Sequence, residues 1–397
     1  MSGWLQDDGA AIRDAVSTAF SDIVNALGAG PTHRHRVSNI DIRIVVTGTR
    51  GKSTATEWLH DIFHRRGYDT FAKVTGTRPV SLYNGQSHDI DRSDQVRLYE
   101  NERELRRFGD VDVAIAENQG IRQYTTRLVN ESYFDPHVVF LTNIREDHLD
   151  TLGHDRVQIA RSLARAVPSG AVVVNGESDP ALRSYLEAEL RRRDAPVRHV
   201  SVPSASEWIP GAELVYGVDE VLRATDTDPL DPESIRRRLD DLVPHWRVLP
   251  GGRAYNAADV NDVQSTEIVR RALVGDGGQP IEPLLFLRPD RRGRTASFFR
   301  YLTRLVEADL AERVFVGGGG SDAFAEKADF PVETYDVGSD PPEAVLDRAL
   351  EADRPLVVMG NTVHEFMRDL DTCITERTMT RRPPASRSER QLIEEGL

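Results

Sequence analysis

The stretch Ile42-Arg-Ile-Val-Val-Thr-Gly-Thr-Arg-Gly-Lys-Ser-Thr54 decides the fold: an apolar β-branched run ends in a glycine-rich turn that carries a lysine and two hydroxyls. β-Branched residues favour a buried strand. Gly48 and Gly51 let the backbone turn its N–H groups toward an anion, and the helix expected to follow adds the partial positive charge of its N-terminus. Such a turn cradles phosphates, so Gly48, Thr49, Arg50, Gly51, Lys52, Ser53 and Thr54 form the candidate ATP-binding set. Lys52 is placed to reach the β- and γ-phosphates, and Ser53 or Thr54 to hold the magnesium ion that accompanies them. The usual phosphate loop begins with a glycine where this chain has Val46, so the loop is a shorter variant, Gly-Thr-Arg-Gly-Lys-Ser.

Composition agrees with a nucleotide enzyme without identifying one. A chain of 397 residues, 39% hydrophobic, has room for two or three domains with ordinary cores. A net charge of −14 argues against binding nucleic acid or a membrane surface through general electrostatics. Cys373 is the one cysteine, which excludes an internal disulfide and points to a reducing cytoplasm. Apolar runs are too short for a membrane span, and residues 1–30 read as an amphipathic segment with acidic breaks rather than a signal peptide. Among 50 basic residues only Lys52, Lys73 and Lys327 are lysine. A chain that prefers arginine this strongly and keeps lysine in the phosphate turn needs a flexible point charge there. The same reasoning singles out Lys73, before the polar turn Val74-Thr-Gly-Thr77.

Beyond the first strand and helix the pattern repeats. Val111–Ala116, Val138–Thr142 and Ala171–Val174 are short apolar runs separated by helical stretches, which predicts a mostly parallel sheet covered by helices. Ligands of such sheets sit beyond the strand C-termini. There the chain places Glu117-Asn-Gln-Gly120 and Asn143-Ile-Arg-Glu-Asp-His-Leu-Asp150. A carboxylate and an imidazole on neighbouring strand ends, Glu117 and His148, can share a divalent cation with Ser53 and phosphate oxygens. His60-Asp-Ile-Phe-His64 has the spacing of a helical zinc site, but it lies on the helix leaving the phosphate turn, among the apolar Trp58, Leu59, Ile62 and Phe63. It reads as a packed helix face. His33-Arg-His-Arg36 reads as a solvated linker before the first strand.

The C-terminal third reads as a second, smaller Rossmann-like α/β domain, with strands at Pro283–Leu287, Arg313–Val316 and Pro355–Met359 and a turn at Gly317–Gly320. Pro250-Gly-Gly252 breaks the pattern before it. The expected organisation is a helical extension over 1–40, a phosphate-loop domain over 41–248, the second α/β domain over 249–375, and a disordered tail over 376–397 rich in Arg, Pro and Ser.

Thr47–Thr54, Lys73–Thr77, Glu117 and Asn143–Gly153 together resemble the Mur ligase superfamily of ATP-dependent amide-forming ligases, and within it the PgsB/CapB-type branch of poly-γ-glutamate synthase catalytic subunits, which act in capsule synthesis. Pro244-His-Trp-Arg247 followed by Asn261-Asp262 resembles the superfamily's hinge arginine and aspartate, so the resemblance implies that Arg247 and Asp262 contact ATP. Tyr255–Thr266 and Arg288–Thr295 are similar to motifs of the branch itself. Mur ligases and folylpolyglutamate synthases carry a carbamylated lysine downstream of the motif histidine; Val157–Ser169 contains none, as in the poly-γ-glutamate branch. With only residues 1–40 ahead of the first strand, a separate domain for a UDP-linked precursor is not expected. Two departures stand out: the branch has Glu-Cys-Met-Ala where this chain has Glu117-Asn-Gln-Gly120, which points to a different acceptor, and it often begins with a membrane-anchoring helix, here not expected. Membrane association at the inner face would then run through partner subunits of a polymer synthase or exporter.

The resemblance implies ATP and Mg2+ as cofactors, and a carboxylate and an amino-acid amine, glutamate above all, as substrates of an ADP-forming ligase. Its catalytic set is Lys52, Glu117, Asp147 and His148, with Ser53, Glu117 and His148 as metal ligands. Asp147, His148 or a nearby glutamate is placed to accept the proton of the amine. Lys73, Thr75, Thr77, Arg288, Asp290, Arg291 and Arg294 are the substrate-contact candidates, the arginines for carboxylates and phosphates. A phosphate-loop kinase and a nucleotide switch are the competing classes, and an oligomer is compatible with all three.

Overall fold

The computed structural model describes residues 30–76, 79–92, 97–108, 110–146, 152–275 and 278–379. Contacts divide the chain into two units. The first runs through Asn143 and adds Val157–Val200 and Gly217–Pro229; the second takes Ile144–Arg156, Ser201–Tyr216 and the chain from Leu230 on.

The first unit is built on an eight-stranded sheet. In chain order its strands are β1 (Ile42–Thr47), β2 (Thr70–Val74), β3 (Val80–Tyr83), β4 (Gln86–Asp89), β5 (Val113–Glu117), β6 (Val138–Leu141), β7 (Val172–Asn175) and β8 (Val197–His199). They lie in the order β4-β3-β2-β5-β1-β6-β7-β8. From β2 to β8 the pairings are parallel, and the hairpin of β3 and β4 extends the β2 edge antiparallel. Helices α1 (Lys52–Arg65), α2 (Glu100–Arg107), α3 (Gln123–Leu128), α4 (Arg156–Arg165) and α5 (Pro180–Arg191) connect or flank these strands. A π-helix, Val129–Phe134, continues α3.

The central strand β1 is buried over Arg43–Thr47, as a parallel strand covered on both faces must be. One face of the sheet packs Val45, Phe71, Ala114 and Ala116 against Leu105, Val129 and Phe134. His33 belongs to this face. The expected solvated linker is instead helical over residues 30–38, with Val37 and Ile40 in the core, so His33 is 4% exposed and its Nε2 lies 2.9 Å from the Tyr133 carbonyl oxygen. Burial lowers its pKa.

The second unit carries helices α6 (Ala212–Ala224, its C-terminal part counted in the first unit), α7 (Pro232–Leu242), α8 (Val263–Val274), α9 (Arg292–Glu307), α10 (Ser321–Lys327), α11 (Pro342–Leu350) and α12 (Glu365–Glu376). Its six strands are β9 (Arg247–Leu249), β10 (Gly252–Asn256), β11 (Glu282–Leu287), β12 (Val314–Gly318), β13 (Val332–Tyr335) and β14 (Leu356–Met359), in the order β13-β12-β11-β14-β10-β9. All pair in parallel except β9, which is antiparallel to β10. Alternation along β11 and β14 splits the core in two: Leu284, Phe286, Leu356 and Val358 face α11 and α12, while Leu285, Leu287, Val357 and Met359 face Phe298, Tyr301 and Leu302 of α9. Gly317 and Gly318, expected as a turn, still belong to β12. Of the expected tail, residues 380–397 lie outside the described residues, and the Met379 amide donates to the Val248 carbonyl at 2.9 Å.

Candidate functional site

β1 ends between β5 and β6, the position in which a parallel sheet presents a loop to ligand. Gly48 has φ +118°, and a Cβ there would stand 2.3 Å from Thr142 Oγ1, so no side chain fits. Gly51 has φ 77° and supplies no side-chain cap to α1, whose first turn keeps its N–H groups for an anion. The loop is stapled to the end of β6: Thr49 Oγ1 and the Arg50 amide both donate to Asn143 Oδ1, at 2.9 and 3.1 Å. Lys52 folds back over this turn, donating to the carbonyl oxygens of Gly48 and Thr49 at 3.0 and 3.3 Å. Thr54 follows Ser53 in the first turn of α1.

Glu117 closes β5 and is 4% exposed. Its Oε2 accepts from Ser53 Oγ at 3.0 Å and from the Thr75 amide at 2.6 Å, and the backbone at Gly76 passes so close that a Cβ would lie 2.9 Å from Ser53 Oγ. Thr75 meets Glu117 through its backbone amide. Glu57, one turn along α1 and solvent-exposed, has its carboxyl pKa raised by partial desolvation and by the negative charge of Glu117. The carboxylate of Glu117 and the hydroxyl of Ser53 beside a phosphate loop are the oxygen donors a hard divalent cation takes. Glu57 was not among the expected site residues, although its position one turn after Ser53 was a usable signal.

Lys73 corrects the expectation of a substrate contact. It is fully buried, donates to Asn101 Oδ1 at 2.8 Å and to Gln119 Oε1, and pairs with Glu100 at 2.8 Å. Its register partner is Ala116, so its side chain leaves the sheet on the face opposite Glu117. The i, i+4 pair His60 and His64 has its ring centroids 6.1 Å apart on α1, with His60 buried. Asp147, His148 and Thr77 lie outside the described residues. Among the described residues no cluster of three or more His, Cys, Asp or Glu side chains is placed to hold a metal, and no helix is long and apolar enough to cross a membrane.

The remaining expected residues belong to the second unit. Arg247 begins β9 and its Nη1 donates to Thr375 Oγ1. Asp262 caps α8, accepting from the Ser265 amide at 2.9 Å and its hydroxyl at 2.7 Å. At the C-terminal ends of β11 and β14, Phe286, Arg288, Arg291, Arg294, Thr295 and Asn361 line a small depression. Arg288 is held by Asp290 through two bonds of 2.8 and 2.7 Å. Arg294 reaches Asn261 Oδ1 at 3.3 Å, which also accepts from Asn361 at 2.8 Å. Asn261 adopts φ 59°, a conformation asparagine tolerates better than most residues. Asn361 was not foreseen; its place directly after a strand and a glycine was the available signal.

Residues 46–222 match the Mur ligase middle domain, and residues 250–377 match the poly-gamma-glutamate synthase CapB C-terminal domain. The chain is 23% identical over 330 residues to the capsule biosynthesis protein CapB of Bacillus anthracis, covering 76% of this chain and 69% of that one. It is 21% identical over 341 residues to the PGA synthase CapB of Bacillus subtilis, covering 79% and 82%. Among solved structures, the bifunctional folylpolyglutamate synthase/dihydrofolate synthase of Yersinia pestis complexed with AMPPNP and a Mn ion superposes with a TM-score of 0.60 at 17% identity, over 87% of this chain and 91% of that one. That likeness is one of fold.

Proposed function

We infer that this chain, whose two matched parts are a Mur ligase middle domain and a CapB-type C-terminal domain, is an ATP-dependent ligase. It activates a carboxylate as an acyl phosphate and joins it to the amine of an amino acid, releasing ADP and phosphate. Glutamate is the amino acid and a γ-linked glutamate chain the product, a reading supported by the relatives named for capsule biosynthesis and PGA synthesis. The observation that carries the ligase reading is the meeting of Ser53 Oγ and the Thr75 amide on Glu117, beside the turn that carries Lys52.

The acceptor carboxylate is already ionised at neutral pH, so its attack on the γ-phosphorus needs no general base. Positioning and charge neutralisation are the whole task. Lys52 and the N-terminal amides of α1 supply positive charge to the phosphates. Ser53 and Glu117 would hold magnesium, which when bound neutralises phosphate oxygens as the γ-phosphoryl moves. The amine then attacks the acyl carbon, and the tetrahedral intermediate expels phosphate as the amide forms. The amine must lose one proton, and Asp147, His148 or a nearby glutamate is the group to accept it. Arg291 and Arg294 receive the carboxylates of the incoming amino acid.

The test is phosphate release from ATP and Mg2+ with glutamate and oligoglutamate supplied singly and together. ADP and phosphate should accumulate only when both are present, with products lengthened by one γ-linked residue by mass spectrometry. Lys52→Ala should lose that turnover. A persistent phosphorylated product would make the chain a kinase, and no γ-linked product from D- or L-glutamate, even with membrane subunits supplied, would remove glutamate as substrate. A ligase acting on another small carboxylate is the second reading, favoured by Asn118-Gln-Gly120 after the metal carboxylate.

A further inference from the structure

Lys73 is a buried charge that this mechanism leaves unused. Burial pulls its pKa down to about 8 against the opposing effect of Glu100. Glu100 does not rely on Lys73 alone, because Arg92 holds both its oxygens through bonds of 2.8 Å. Buried charge pairs often stabilise no more than well-packed apolar side chains of similar volume, so stability is weak grounds for this one. Its geometry gives firmer grounds. Gln119, the amide that accepts from Lys73, stands two residues beyond Glu117 and donates onward to the Arg97 carbonyl at 3.3 Å. Thr75, two residues beyond Lys73, donates its amide to Glu117 Oε2 at 2.6 Å. β2 and β5 are paired Lys73 to Ala116. The ends of these strands are therefore tied together twice, once on each face of the sheet.

We propose that Lys73 is a positioning residue that clamps, through Gln119, the turns leaving β2 and β5, and so aims the Glu117 carboxylate at Ser53. This rests on the reading of Glu117 as a metal carboxylate. Groups that orient a metal ligand typically contribute ten- to a hundredfold to metal affinity or activity. Lys73→Met removes the clamp from one side, and Gln119→Met removes it from the other while keeping side-chain length and the Lys73–Glu100 pair.

The test measures Mn2+ affinity by electron paramagnetic resonance, on the whole chain with ADP present, together with thermal melting, for both variants and for Glu117→Gln. Both clamp variants should bind Mn2+ about ten- to a hundredfold more weakly, with Gln119→Met melting at the parent temperature. Gln119→Glu, which keeps an acceptor oxygen for Lys73, should recover most of that affinity. Should Lys73→Met fail to fold, Gln119→Met decides alone. Parental Mn2+ affinity in Gln119→Met alongside loss in Glu117→Gln overturns the clamp and leaves the metal reading standing. Parental affinity in Glu117→Gln overturns the metal reading itself.

Discussion

Ser53 and Glu117 lie 64 positions apart in the chain, and the Ser53 hydroxyl donates to the Glu117 carboxylate across 3.0 Å. One belongs to the helix after the phosphate turn and the other to the neighbouring strand end, so the bond joins the phosphate cradle to a carboxylate. Glu117→Gln keeps the shape and an acceptor for Ser53 but removes the charge that suits a divalent cation. Turnover should fall by roughly a hundredfold or more, while nucleotide binding measured in EDTA stays near the parent value. A kcat within threefold of the parent at saturating Mg2+ would sink this role.

Gly48 and Gly67 both have positive φ, but only one is enclosed. At Gly48, φ +118°, a Cβ would meet Thr142 Oγ1 at 2.3 Å and the Asn143 carbonyl oxygen at 3.0 Å; at Gly67, φ +89°, it would meet nothing within 4 Å. Gly67→Ala should therefore cost only backbone strain, about 1 kcal/mol. Gly48→Ala adds a clash inside a packed strand end and should cost about 3 kcal/mol or more. Urea denaturation of the two variants measures the difference, and equal costs would refute the close approach.

Much of the first sheet is readable from Ile42–Thr54, Val138–Leu141 and Val172–Asn175, because a strand buried on both faces reads as a near-continuous apolar run. Glu117 is readable for the same reason, as the first charge after such a run. The hairpin of β3 and β4 is not. Gln-Ser-His-Asp, Gln86–Asp89, is a polar edge strand whose pairing comes from its neighbour rather than its own pattern. Lys73 shows the other limit. Its rarity singled it out, but as a substrate contact; its partners Glu100 and Asn101 come from a separate helix, and no local spacing reports that they enclose it.

His60 gives the fold an acid sensitivity. It is 4% exposed, and burial, with a smaller effect of the His64 charge, lowers its pKa to about 4 from an ordinary 6.5, against Asp61 and the Thr70 backbone. Below pH 6.5 the unfolded chain takes up a proton at this position that the folded chain refuses until about pH 4. Stability is therefore full above pH 6.5 and is lost as pH falls toward 4, by on the order of 3 kcal/mol from this group. Urea midpoints followed from pH 7 to pH 4 should show His60→Leu losing less stability than the parent. Parallel curves would show that His60 is not the group responsible.

The three arginines at the ends of β11 and β14 should not contribute equally to substrate binding. Both donors of Arg288 in its bidentate pair are taken by Asp290, whereas Arg291 approaches Asp290 only at 3.7 Å and Arg294 is steadied by Asn261 at the wall of the depression. A carboxylate entering there has to displace Asp290 to use the paired donors of Arg288. A hydrogen bond between charged groups is worth about 1.5–3 kcal/mol, so Arg294→Ala should raise the glutamate KM by roughly ten- to a hundredfold. Its kcat and the KM for ATP should stay within about threefold, because uniform binding of the amino acid is what is lost. Arg291→Ala should behave similarly and Arg288→Ala more mildly. Steady-state kinetics with glutamate varied at saturating ATP and acceptor reads this order directly. A dominant effect at Arg288, or a fall in kcat with KM unchanged, would place the amino-acid carboxylate elsewhere.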